Sequence, residues 1–157
     1  MEILTKEKTC AFYASDYHFE MISLPFIEKN IEENKEIIIL TENNLEDTIK
    51  TLMKNINFNK NKKEKIIKIN WENNDLNKFK KIKKCVENKK DIIIFIKGKE
   101  NYIKNINSNI EKWTENYKKA RIIDCYDIEE IGNRVVDVMN NYKNILNTTG
   151  ETKIKKL

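Results

Sequence analysis

Apolar positions along the chain follow two patterns. In the first they are consecutive and short: "TCAFY" at 9 to 13, "EIIIL" at 36 to 40, "DIIIFI" at 91 to 96 and "RIIDCY" at 121 to 126, with a weaker run, "KIIKIN", at 65 to 70. The uninterrupted, isoleucine-rich stretches at 37 to 40 and 92 to 96 are what strands covered on both faces require. In the second pattern apolar residues recur at helical spacing. Phe19, Ile22, Phe26 and Ile27 follow a capping Ser15 or Asp16, and Pro25 is expected to bend that helix or end its first part. Leu45, Ile49, Leu52 and Met53 follow Asn44; Leu76, Phe79, Ile82, Lys83 and Val86 follow Asp75. Ile103, Ile106, Ile110, Trp113 and Tyr117 share a face, as do Ile131, Val135, Val138, Met139 and Tyr142 in a last helix from about 128 to 145. Strand alternating with helix predicts a three-layer α/β/α fold around a mainly parallel sheet of five or more strands.

The polar stretches divide the chain further. "NFNKNKKEK" at 57 to 65 reads as a mobile, charged connector, and "NTTGETKIKKL" at 147 to 157 as a basic C-terminal tail or a short added strand. Residues 1–146 then form a single domain, as a length of 157 residues allows. No internal repeat is visible.

Charge changes this picture little. The formal charge is +5, but 30 basic residues face 25 acidic ones spread along the chain, and the Lys, Asn and Ile content follows AT-rich codons. Lys6, Glu7 and Lys8 interrupt any leader-like apolar start, and no apolar run reaches membrane-spanning length. A cytoplasmic protein with no membrane partner is the expectation. Cys10, Cys85 and Cys125 are too few and too far apart for a disulfide framework or a zinc motif, so no metal is expected.

The chemistry turns on the first strand-to-helix junction, "YASDYHFEM". The order of strand, polar turn, helix, "EIIIL" and acidic turn resembles the first half of RecA/KaiC-like ATPases. Their turn reads G-x-x-x-x-G-K-[ST], with backbone amides and a lysine around the phosphates. This turn has no glycine and no lysine, Asp16 would repel phosphate, and Lys97 stands after "DIIIFI" where a metal-holding carboxylate is expected. The Walker A motif is absent, so ATPase activity is not expected.

A closer resemblance is to the MEDS family, the methanogen/methylotroph DcmR sensory domains, which look like RecA/KaiC-like domains without the phosphate loop. Lys8, Cys10 and Tyr13 take the spacing of that family's H-x-C-x-x-Y opening, followed by Leu24-Pro25-Phe26 and "EIIIL" with Thr41 and Glu42. "DCYD" at 124 to 127 resembles a later C-x-Y-D-like element, with Tyr126 and Asp127 in place and the cysteine displaced to Cys125. The chain departs from the family at Lys8 and in "GKENY" at 98 to 102. The resemblance implies a sensory or regulatory input domain for small organic molecules, of a kind often attached to a kinase or DNA-binding output; for this chain the expected partner is a separate kinase or transcription regulator.

In open α/β sheets the usable crevice lies beyond the carboxyl ends of the strands. Tyr13, Asp16, Glu42, Trp71, Lys97, Glu100, Tyr126 and Asp127 gather there as candidate ligand- or partner-binding residues, with the three aromatics as walls and Lys97 or Glu42 as charged anchor. No catalytic residue and no cofactor are assigned. His18, the one histidine, lacks an evident partner for nucleophilic chemistry, whereas Cys10 and Cys125, on strands expected to be adjacent, could lie close enough for redox sensing. Cys85 is expected on a more exposed helix. The expected function is a non-catalytic sensory or regulatory module binding a small ligand or a regulatory protein. The alternative is a nucleic-acid-associated accessory protein using the connector at 57 to 65 and the basic tail.

Overall fold

The structure, a computed structural model, describes residues 8–155. Six strands form one sheet in the order β2-β3-β4-β1-β5-β6: β1 (Thr9–Tyr13), β2 (Glu36–Thr41), β3 (Ile92–Gly98), β4 (Ala120–Asp127), β5 (Asn144–Asn147) and β6 (Gly150–Lys153). All neighbours are parallel except the β5/β6 hairpin. Helices cover both faces, giving the three-layer α/β/α fold expected from the alternation of strand and helix.

One face carries α1 (Asp16–Glu32), α2 (Glu46–Asn55) and α3 (Lys60–Lys68), packed through Phe19, Ile27, Ile49 and Ile66 on Ile39, Phe95 and Ile123. The other carries α4 (Asp75–Glu87), α5 (Glu100–Thr114), α6 (Ile128–Ile131) and α7 (Val135–Met139), packed through Ile82, Ile106 and Val138 on Ile38, Ile94 and Ile96. Consecutive strand residues feed opposite layers, which is why β3 is buried from end to end. After β1 the chain passes to one layer, and after the adjacent β4 it passes to the other. The carboxyl ends of β1 and β4 therefore flank the switch point where crevices form in open sheets.

Several expectations are corrected. "KIIKIN" at 65 to 70 is not a strand, and 57 to 65 is not an unstructured connector. The Asn59 side chain accepts from the Lys62 amide and starts α3, which buries Ile66 alone. One-sided burial suits a helix, whereas a strand here would need a partner on the sheet. The helix expected from 128 to 145 breaks at Gly132, whose φ of 59° ends α6, and its last residues become β5, paired with β1 through Thr9 and Asn144. Pro25 neither ends nor divides α1, although it removes the amide that would have bonded the Met21 carbonyl. The inward face of α4 is turned from the one expected. Lys78, Ile82 and Cys85 are buried, while Leu76 is 77% exposed and Lys83 is exposed.

Lys78 has a structural task. As the first strand of the order, β2 leaves one side without a strand neighbour, and the Lys78 ammonium donates to the Ile39 carbonyl at 2.5 Å and to the Glu72 carbonyl. Burial pushes its pKa down to about 8.

The thiols are also placed differently. Cys10 lies opposite Asp124 and Cys125 opposite Ala11, so the two cysteines sit on adjacent strands but on opposite faces of the sheet. Cys85 is buried as well. Burial pushes the Cys10 thiol up to about 12 and raises Cys125 well above the ordinary thiol value.

Candidate functional site

The first turn satisfies two of its amides with its own side chains. Ser15 caps α1 by accepting from the His18 amide at 3.1 Å, and His18 Nδ1 accepts from the Ala14 amide at 2.8 Å. His18 is thus a turn-stabilising residue, and the Ala14 and His18 amides are already bonded within the turn. The next shell carries paired charge. Lys97 Nζ, on a side chain only 2% exposed, stands 2.9 Å from Asp16 Oδ1 and donates to Asn43 Oδ1 at 2.9 Å. Asn43 Nδ2 closes the ring by donating to Asp16 Oδ2, and the ammonium lies 4.5 Å from the centre of the Tyr13 ring. The three residues come from the ends of three strand–helix connections; Asp16 and Lys97 neutralise each other and Asn43 bridges them.

Glu42 locks the next connection. Its carboxylate accepts from the Lys99 amide, and its amide donates to the Lys97 carbonyl at 3.1 Å. Gly98 makes this approach possible: a Cβ there would stand 2.4 Å from Glu42 Oε1. The structure thus brings Tyr13, Asp16, Lys97 and Glu42 together, with Asn43 as a member that the sequence reading did not single out.

The other candidates lie apart. Trp71 is buried and donates its indole N–H to the Ile66 carbonyl at 2.8 Å, anchoring α3. Tyr126 faces the opposite layer from Tyr13, where its hydroxyl meets that of Tyr142. Tyr142 donates to Asp124 Oδ2 at 2.6 Å, so Tyr126 is the donor to Tyr142, and Asn107 supplies Asp124 Oδ1. Burial raises the Asp124 carboxyl, with the bonds from Tyr142 and Asn107 working against it. Asp127 caps α6 by accepting from the Glu129 amide, and Glu100 pairs with Arg134 at 2.9 Å. These four positions have structural partners.

Beside the Lys97 cluster, between α1 and α2, opens a groove of about 590 Å³, within the size range of small-molecule sites. Tyr17, Glu20 and Met21 line it from α1, and Asp47, Thr48 and Leu52 from α2. Glu20 is 1% exposed, and its Oε1 finds no hydrogen-bond partner among the described residues. Burial raises its carboxyl pKa; the neighbouring Thr48 hydroxyl and the Lys97 charge oppose this, while the Asp16 charge adds to it. An unpaired buried carboxylate oxygen is costly to keep, which makes it a mark of a site. The sequence carried a signal for it: Glu20, Ser23, Leu24 and Ile27 fall at i, i+3, i+4 and i+7, so a carboxylate sits on the buried face of α1.

Against known proteins, the chain matches no family model, no curated protein and no solved structure.

Proposed function

We propose that the chain is a non-catalytic sensory or regulatory module that binds a small organic molecule in the groove between α1 and α2 and passes the occupied state to a separate regulatory protein. The observation that carries this reading is Glu20: a buried carboxylate with an unpaired oxygen, lining a largely apolar groove. The first turn supports it from the other side. With Asp16 placing a carboxylate at the turn, Lys97 held by Asp16, and the Ala14 and His18 amides bonded internally, the turn lacks the lysine and the glycine-rich amide cradle that a phosphate needs. The resemblance to MEDS domains agrees with a small-molecule input role and motivates the choice of a regulator as partner. The nucleic-acid alternative has less behind it, because Lys62 in the basic stretch is held by Glu28 at 2.5 Å and by Glu32 at 3.4 Å.

Thermal-shift screening of small organic compounds against the native chain and a groove-filling Thr51→Trp variant tests the proposal. Compounds that raise the native Tm but leave that of Thr51→Trp unchanged are expected. Stabilisation equal in both proteins would place the ligand elsewhere and contradict the reading.

A further inference from the structure

We infer that the groove selects an organic ammonium ion: one protonated amine on a short apolar or aromatic body. The inference rests on the reading of the groove as the ligand site and adds the class of ligand. Three observations carry it.

The first is the unpaired Glu20 oxygen. It needs a donor, and the described residues supply none to Oε1. A charged donor is the best match, since hydrogen bonds between ionised partners are about twice as strong as neutral ones. The second is the sign of the lining. Glu20 and Asp47 both face the groove, and no lysine, arginine or histidine among the described residues lines it, in a chain whose formal charge is +5. An anion would meet carboxylates without a counter-charge, and a neutral ligand would leave Glu20 without its ionic partner. The third is the rest of the wall. Met21, Leu52 and Ile56 offer apolar surface, and the ring of Tyr17, 61% exposed, borders the groove as an aromatic face for a cation and its hydrocarbon body. The cation therefore sits at Glu20, with its body along Leu52 and Ile56.

The nearby ammonium of Lys97 does not fill this role. It is committed to Asp16 and Asn43, so its charge reaches Glu20 only through space. Oε1 lies beneath the surface of the groove, so a ligand amine engages it by turning the Glu20 carboxylate outward, where no described residue competes for that oxygen.

Isothermal titration calorimetry with three probes of one shape tests the inference: benzylammonium, benzyl alcohol and benzoate, each against the native chain, Glu20→Gln and Thr51→Trp. Benzylammonium is expected to bind the native chain more tightly than benzyl alcohol, and benzoate not at all. Glu20→Gln is expected to weaken benzylammonium by about ten- to a hundredfold, the loss of one charge-assisted bond, while leaving benzyl alcohol little changed. Thr51→Trp should abolish both. Circular dichroism confirms the fold of each variant. If benzyl alcohol binds as tightly as benzylammonium, or Glu20→Gln leaves benzylammonium unaffected, the ammonium preference is overturned while the groove stands. If Thr51→Trp changes nothing, or no probe binds, both the preference and the groove fail.

Discussion

Glu20 and Lys78 are buried ionisable residues of opposite sign, and their surroundings treat them differently. Glu20 keeps one oxygen unpaired, so its replacement should stabilise the empty protein: Glu20→Gln is expected to gain about 1 kcal/mol at pH 7, or about 2–4 °C in Tm. The pH dependence has a definite sign. The folded carboxyl pKa lies above the unfolded value near 4.5, so Glu20 contributes stability that is fully present below pH 4.5 and lost as pH rises through the folded pKa. Asp16 on α1, Thr48 on α2 and Lys97 on β3 act on this group, and all remain in Glu20→Gln, so subtracting the two urea-unfolding pH profiles isolates it. A variant no more stable than the native chain at pH 7 would argue that Glu20 is already satisfied. Two carbonyls accept from Lys78, so Lys78→Met should cost about 1–3 kcal/mol. Its folded pKa of about 8 lies below the unfolded 10.5, so its contribution to stability is present above pH 10.5 and lost as pH falls through 8. The deficit of Lys78→Met should therefore widen between pH 8 and pH 10.5, and a constant deficit would contradict the shifted amine.

At the scale of elements, strand register decides the chemistry of the thiols. Cys10 and Cys125 face opposite layers, so a mild oxidant should not join them within one folded chain. All three thiols should label slowly until the protein unfolds, which mass spectrometry of native and urea-treated samples reads directly. An intramolecular bond between Cys10 and Cys125 in the native state would overturn the register. The sheet was legible in the sequence because runs such as "DIIIFI" leave no polar face, whereas the adjacency of β1 and β4 was expected only from the resemblance to RecA/KaiC-like domains. Faces were harder to read. One residue of register separates Cys10 from Cys125, and in α4 the inward face carries Lys78 and Cys85 where Leu76, on the opposite side of the helix from Cys85, was expected; composition marks neither. Helix α3 was hidden because its Lys-rich sequence has little apolar periodicity and depends on the Asn59 cap and on packing of Ile66. The break at Gly132 was available as a helix-ending glycine, but the apolar spacing from Ile131 to Tyr142 outweighed it.

Taken as a whole, the molecule has the carboxyl-edge crevice of an open parallel sheet, with its polar groups turned on one another. Asp16, Asn43 and Lys97 form a closed set, Glu42 is tied to the Lys99 amide, and Tyr13 lies under the Lys97 ammonium. Tyr13 is therefore expected to matter for stability: Tyr13→Ala should cost about 3 kcal/mol in urea unfolding, and a loss under 1 kcal/mol would return Tyr13 to the role of an exposed pocket wall. The sequence led to the carboxyl edge because strand ends are visible as chain positions. The groove depends on how far α1 and α2 stand apart, a property of packing that no local pattern encodes, and Glu20 on a buried helical face was the one sign of it. The central claim is that this groove, and not the first turn, is where the protein meets its ligand. An amide-resolved NMR titration of the native chain, with benzylammonium and benzyl alcohol in one series and magnesium-ATP in another, tests it most directly. Saturable shifts at residues 17–21 and 47–56 with either benzyl probe, and none at 14–20 with magnesium-ATP, are the expected result; saturable magnesium-ATP shifts at 14–20 with the groove silent to both benzyl probes would contradict the account.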